Sequence, residues 1–399
     1  MNIKYNPFDE KLLQDPWPTY HAMRDQDPVY YIEEFDAWAL TRFDDIWQAS
    51  LDKTHYTASH GTSPEVLLLD KNLPPKVFLF MDPPEHRQHR NLIAAPYTPM
   101  NIATLEQQIR ETTRAVMAPS LEKGELDVYR LSSHVALHTI AKFIGLSFEQ
   151  IFHIRKLIDA FYHREPGRMG TTEKGQQAFA EAHLYIHELI KTFRKTPPAE
   201  NTHIYNWLNA DVNDTVMSDD EIFFSIFALV ITGSDTLPMT VAATLYYLSQ
   251  QPAVMNEVRA SPELIPQAFA EAARIDQPTN ILGRVVTEDF ELHGKQLKKG
   301  QPVLFLYASA NRDDREFENP DEYQLHRLSK RNLSFGAGLH FCLGQHLARF
   351  EGQIILEEIF ASLGDFEVDR AKSTRAFGEF LQGFNHLPIY FAPQVCSEQ

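Results

Sequence analysis

Cysteine is nearly absent: the 399 residues hold two, Cys342 and Cys396. That excludes a disulfide-rich secreted scaffold, and within this chain it excludes a four-cysteine zinc or iron–sulfur centre. Positive charge is short as well. Lys and Arg number 37 against 54 Asp and Glu, a formal net charge of −17, so nucleic acid is not an expected partner. The opening MNIKYNPFDEK lacks the charged-then-apolar order of a signal peptide. No uninterrupted apolar run reaches the ~20 residues that span a bilayer, so no membrane partner is expected. There is no internal repeat, no low-complexity tract and no strand–helix alternation, which argues against a Rossmann-type dinucleotide fold. The expectation from these absences is a soluble, cytoplasmic protein, and a bacterial source is expected with it.

What is present is an ordinary globular balance, 43% hydrophobic and 23% charged, enough to bury a core and enclose a cofactor. Prolines punctuate the first hundred residues, and between them PVYYI and AWALTR read as a short hairpin. From about 101 to 275 apolar residues recur at spacings of three and four, the pattern of amphipathic helices. The stretch from Ser218 to Leu248 is apolar on most faces and reads as a central buried helix. Strand patterns return in ILGRVVTEDFELHGKQLKKGQPVLFLYAS. The expected fold is mainly α with small β-sheets, one domain over 1–399, β-rich near 28–42 and 280–310 and helix-rich over 85–275.

Cys342 stands out by its setting, SFGAGLHFCLGQHLARFEG. A lone cysteine is usually a small buried hydrophobe. Here Gly336 and Gly338 allow a tight loop with inward N–H groups. A helical pattern begins at the cysteine, and a helix N-terminus stabilises a thiolate. Phe335, Leu339, Phe341 and Leu343 make the surroundings apolar. Such a thiolate suits a metal held from one side, with the other ligands brought by the metal's own group.

The run FGAGLHFCLG resembles the cysteine loop of the cytochrome P450 family, the haem-thiolate monooxygenases, at every fixed position of Phe-Gly-x-Gly-x-His-x-Cys-x-Gly. Ala348, Arg349 and Glu351 continue the match to soluble bacterial members, with a likeness to the camphor-hydroxylase branch. Further stretches agree in order, from NPFD at the start through MDPPEHRQHRN, EAAR and NRDDREFENPDEY to HLPIYF. The resemblance implies haem b (iron protoporphyrin IX) between the central helix and the cysteine-loop helix, with Cys342 on the iron and Phe335 and Gly336 lining the loop. It implies that His86, Arg90, Arg284 and His340 meet the two haem propionates. Glu271 and Arg274 would form a structural network with a third partner, His326 or Arg327, of which Arg327 is carried forward. Asp235 and Thr236, in VITGSDTLPMTV, match the acid–alcohol pair that delivers protons to bound O2. Thr232 and Leu237 depart from the usual residues there. Pro238 deprives the Ser234 carbonyl of its helical N–H, so a widened turn is expected over 232–238.

The implied activity is insertion of one oxygen atom from O2 into a C–H bond of a mostly apolar small organic substrate. Electrons would come from an external ferredoxin and its reductase, docked on a basic patch of Lys330, Arg331, Arg349, Arg87 and Arg90. A monomer is expected. The substrate pocket is expected from Ile231, Thr232, Ile281, Leu282 and Phe384, together with segments Tyr56–Phe80 and Phe161–Phe179. Two other readings remain open: a peroxygenase using H2O2, and a haem-binding sensor or carrier without turnover. Cys396 belongs to none of these.

Overall fold

The helical pattern after residue 101 becomes a set of stacked helices, Glu106–Lys123, Val128–Ile144, Phe148–Phe161 and Glu173–Lys195. Their ends follow local chemistry. The Asp127 carboxylate accepts from Tyr129 N, capping one start, and Ser147 with Gln150 makes a capping box at the next. Gly145 ends a helix at φ 95°, a left-handed conformation that side chains resist. The computed structural model describes residues 3–70, 76–165, 167, 169–210 and 216–393. Cys396 and parts of the segments Tyr56–Phe80 and Phe161–Phe179 lie outside these residues.

The central apolar stretch forms two helices, Asp219–Ser234 and Thr236–Ser249, broken at Asp235 (φ −114°, ψ −48°). The break falls where Pro238 removes an N–H, and the Ser133 hydroxyl donates to the Ser234 carbonyl at 3.4 Å instead. By length and hydropathy Asp219–Ser249 is apolar enough to cross a membrane, contrary to the sequence expectation, yet 67% of its most apolar window is buried inside the protein. It is a core helix, packed between two apolar clusters. One joins Val135, Leu245, Ile275 and Ile355; the other joins Ile151, Ile186, Trp207, Phe223 and Ile226.

A five-stranded sheet lies to one side, ordered Val29–Ile32, Ala37–Leu40, Pro302–Leu306, Ile281–Val286, Tyr56–Thr57. Ala37–Leu40 runs parallel to Pro302–Leu306, and the other pairs are antiparallel. Its register sets Arg284 opposite Val303. Near the C-terminus, Thr374–Phe377 pairs with Gln382–His386, and the turn between them brings Phe380 and Leu381 against the helices. The architecture is mainly helical with small sheets.

Candidate active site

The cysteine loop is built locally. Gly336 N donates to Leu333 O at 2.9 Å, Phe341 N to Gly338 O at 3.1 Å, and Cys342 N to Phe335 O at 3.0 Å. Gly338 sits at φ 70°, and a Cβ there would stand 2.0 Å from the Ser50 carbonyl oxygen, so only glycine lets the loop pass under that backbone. The following helix starts later than its pattern suggested, at Gln345, with Gly344 as its cap. Cys342 therefore precedes the first turn, and the Gly344 N–H reaches its sulfur.

Cys342 opens onto a cavity of about 440 Å³, within the ~300–1,000 Å³ range of ligand pockets. Its side chain is accessible through that cavity, while the surrounding protein desolvates it. Burial pushes the thiol pKa up, and the Gly344 N–H, Arg90 and Arg349 pull it back. Thr232 and Thr236 face the same cavity from the central helices, as do Ile231 and Leu282. Their hydroxyls donate backward along the helix, Thr232 to Ala228 O at 2.9 Å and Thr236 to Thr232 O at 3.0 Å.

The cationic and imidazole groups converge from three segments. His86 and Arg90 share one face of helix Glu85–Ala94, Arg284 comes from a central strand, and His340 comes from the cysteine loop. The His86 and His340 rings lie 4.5 Å apart. Burial pushes His86 down to about 4, aided by Arg90, and His340 down to about 2, aided by Arg284. Both rings are therefore neutral near pH 7. Arg90 donates to the Phe341 carbonyl at 2.7 Å and Arg284 to the Gly283 carbonyl at 2.7 Å. Among the described residues neither arginine forms a salt bridge, and both ring nitrogens of His86 are buried without a hydrogen-bond partner. Buried donors without acceptors are costly. An anionic group seated between them and the thiol answers that cost, so these residues fit a haem with two carboxylates.

Several expected positions differ. Ile281 is fully buried on the opposite face of its strand, against Tyr20 and Leu304, because successive strand side chains alternate; Leu282 faces the cavity instead. Phe384 lies in the core, under the Arg375 guanidinium and against Tyr246, while Phe380 and Leu381 of the preceding turn reach the cavity. Asp235 turns away from it. Its carboxylate accepts from Arg155 and Tyr129, each at 2.7 Å. Of the five residues expected in a basic patch, three are engaged. Arg331 is paired with Asp44 and Glu316, Arg349 stacks on Phe335, and Arg90 points inward.

Glu271 and Arg274 are 5% and 2% exposed and bonded in parallel at 2.7 and 2.8 Å. Arg327 donates to the same carboxylate at 2.9 Å, whereas His326 pairs with Glu257 at the surface. Arg274 also donates to the Asn311 carbonyl at 2.7 Å, and the Asn311 side chain accepts from Leu333 N at 2.9 Å, tying the network to the start of the cysteine loop.

The sequence reading assigned no role to Glu351. It lies one helical turn after Leu347, and both face the cavity. Burial pushes its carboxyl up to about 7, and the Thr139 hydroxyl donates to it at 2.6 Å. The i, i+4 spacing from Leu347 was the available signal. In the aromatic wall, Tyr162 and Phe179 belong to the expected segment Phe161–Phe179, whereas Phe224, Phe227 and Phe380 gave no signal, since the wall is assembled from four separate segments.

The family model described as Cytochrome P450 matches residues 158–376, more than half of the chain. A putative cytochrome P450 123 of Mycobacterium tuberculosis is 33% identical over 387 residues, 96% of each chain. Linalool 8-monooxygenase of Pseudomonas putida is 26% identical over 395 residues, 96% of this chain and 97% of that one. Among solved structures, a mutant of P450 EryK in complex with erythromycin B gives a TM-score of 0.83 at 26% identity, covering 99% of this chain and 100% of that one. The testosterone complex of CYP109E1 from Bacillus megaterium, at TM-score 0.84 and 24% identity over 96% of this chain and 99% of that one, shares the fold. A cysteine at the edge of a cavity, uncompensated donors at another, and these likenesses over nearly the whole length lead to one statement: the chain belongs to the cytochrome P450 family, and it is a monooxygenase.

Proposed function

We propose that the protein hydroxylates a C–H bond of a mostly apolar small organic compound, with haem b held through Cys342 and electrons from an external ferredoxin and its reductase. In this reading it acts as a single domain, a monomer in the cytoplasm. One observation carries it: a single cavity presents a thiol on one side, the Thr236 hydroxyl from the central helix, and Arg90, Arg284 and His340, with His86 packed behind His340 and neither arginine in a salt bridge among the described residues.

When bound, the haem supplies the O2 chemistry, and a thiolate ligand favours O–O cleavage. The rest belongs to this chain. Gly344 N–H, Arg90 and Arg349 steady the Cys342 sulfur against its desolvation. Arg90 and Arg284 bind carboxylates, and neutral His86 and His340 each donate one N–H. Thr236 spends its own proton on the Thr232 carbonyl, which leaves its oxygen to accept from a water in the cavity. Asp235 holds the outer end of that proton route, its charge balanced by Arg155 and its oxygen bonded by the Tyr129 hydroxyl. The aromatic wall excludes water and selects an apolar ligand. Relatives named for linalool or solved with erythromycin B differ widely in ligand, so the composition of this cavity, and not the likeness, supports an apolar substrate.

The test is the optical difference spectrum of dithionite-reduced protein with and without CO. A strongly red-shifted Soret band in the wild type, absent in Cys342→Ala, is the expected result. A band at the unshifted position, or no haem at all, overturns the reading. Product formation with a surrogate ferredoxin and reductase, and little with H2O2 alone, supports the electron source; the reverse sinks it.

A further inference from the structure

A second cluster of ligating side chains lies outside the cavity. His183 and His187, one turn apart on helix Glu173–Lys195, both aim Nε2 at Asp220 Oδ1 in the first turn of helix Asp219–Ser234, each at 3.1 Å. One ligand atom from each residue lies within 4.8 Å of the others. The rings are 4.1 Å apart, and Phe223 backs both, at 4.8 Å from His183 and 6.0 Å from His187. The neighbouring acids are already engaged. Asp219 pairs with Arg194, and Glu221 closes the capping box with Ser218.

Ordinary pairing explains this arrangement poorly. The Asp220 oxygen has a hydrogen bond with His183 Nε2 at 3.1 Å, which leaves the second ring unexplained. His187 Nε2 is shielded from solvent and makes no hydrogen bond, although the Asp220 oxygen is close. Two nitrogens and one oxygen converging on one point is a ligand set. With metal–ligand bonds of ~2.0–2.2 Å, the edges of a zinc tetrahedron are about 3.3–3.6 Å, near the two nitrogen-to-oxygen spacings of 3.1 Å found here. Imidazole nitrogen favours zinc and its transition-metal neighbours over Mg2+ and Ca2+, which prefer oxygen.

The geometry points to a binding site for a zinc-class divalent cation, held by His183, His187 and Asp220 with the fourth position open to water, that staples helix Glu173–Lys195 to the start of the central helix. The staple stands one turn from Phe179 on one helix and Phe224 on the other, both in the cavity wall, so the bound ion fixes the spacing of that wall. This site is independent of the haem reading, since none of its ligands faces the cavity.

The experiment is titration of the tag-free haem-loaded protein with Zn2+ against a chromophoric chelator, repeated for His187→Ala, His183→Gln and Asp220→Asn. Loss of an outer partner of a metal ligand costs about 10–100-fold in affinity, so loss of a ligand should cost at least about tenfold. One tight Zn2+ per chain, weakened to that degree by each substitution and unmoved by excess Mg2+, supports the site. Binding that survives the substitutions, that Mg2+ displaces, or that is absent below millimolar Zn2+ overturns it. Far-UV circular dichroism and the haem spectrum report whether each variant folds. If His187→Ala does not, the more exposed His183 and Asp220 carry the comparison.

Discussion

At the scale of single residues, two positions give sharp expectations. Gly338→Ala places a Cβ against the Ser50 carbonyl in a backbone region that side chains resist. Strain of about 1–3 kcal/mol or more follows, and it falls on the cysteine loop. The expected result is a lower melting temperature and a smaller fraction of protein carrying the thiolate-type CO band. Glu351 concerns pH. Its carboxyl keeps its proton up to about pH 7 in the folded chain, but only to about 4.5 when unfolded. The folded form then binds more protons across that window, so this residue's contribution to stability is lost as pH rises from about 4.5 to about 7. His86 and His340 act oppositely. Their folded pKa values lie below the ordinary 6.5, so their contribution is present above about 6.5 and lost as pH falls through about 4 for His86 and about 2 for His340. In the haem-free protein the two trends partly cancel. Glu351→Gln removes one of them, so its melting temperature should climb with pH between about 4.5 and 6.5 more steeply than the wild type's. Equal slopes would show that Glu351 does not titrate in this window.

At the scale of elements, the central helix and the buried ion network matter most. Pro238→Ala restores an N–H opposite the Ser234 carbonyl. The helix should straighten across Asp235 and narrow the cavity beside Thr232 and Thr236. A crystal structure of the variant checks the first, and the share of electrons recovered in product rather than peroxide, expected to fall, checks the second. The helix Ile265–Ile275 offers a contrast in ion pairing. Arg274 and Glu271 are buried, so Glu271→Ala leaves two arginines without their carboxylate and should cost about 3–5 kcal/mol. Arg259–Asp365, with Asp365 fully exposed, should yield no more than about 1 kcal/mol on Asp365→Asn. Denaturant midpoints of the two variants decide between these magnitudes.

At the scale of the molecule, the cavity divides the apolar interior. Leu237, Phe269 and Leu347 line it from one core cluster, and Val77, Ile140, Phe227 and Ile231 from the other. A group that fills it completes the core and, by binding only the folded chain, raises stability. Extraction of haem should therefore lower the melting temperature. It should also raise hydrogen exchange in helix Glu85–Ala94 and the cysteine loop, while helix Val128–Ile144, packed on both clusters, stays protected. Uniform exchange changes over all three would contradict this division.

The cysteine loop was legible in the sequence because its determinants are contiguous: glycines for the turn, apolar flanks, and a helix pattern immediately after. Amphipathic spacing likewise marked the helices, and Pro238 marked the break in the central one, since both depend on near neighbours along the chain. Which side chains meet across the chain did not follow from such local rules. The strand pattern alone put both Ile281 and Leu282 in the pocket; alternation along the strand admits only one of them, and pairing register and packing decided for Leu282. Packing likewise turned Phe384 into the core and brought Phe380 forward. Asp235 found Tyr129 and Arg155, 106 and 80 residues away, and His183 and His187 found Asp220 across two helices. Local sequence sets what an element is and where it stops. The energy of burying its faces, summed over the whole chain, sets what stands opposite each residue.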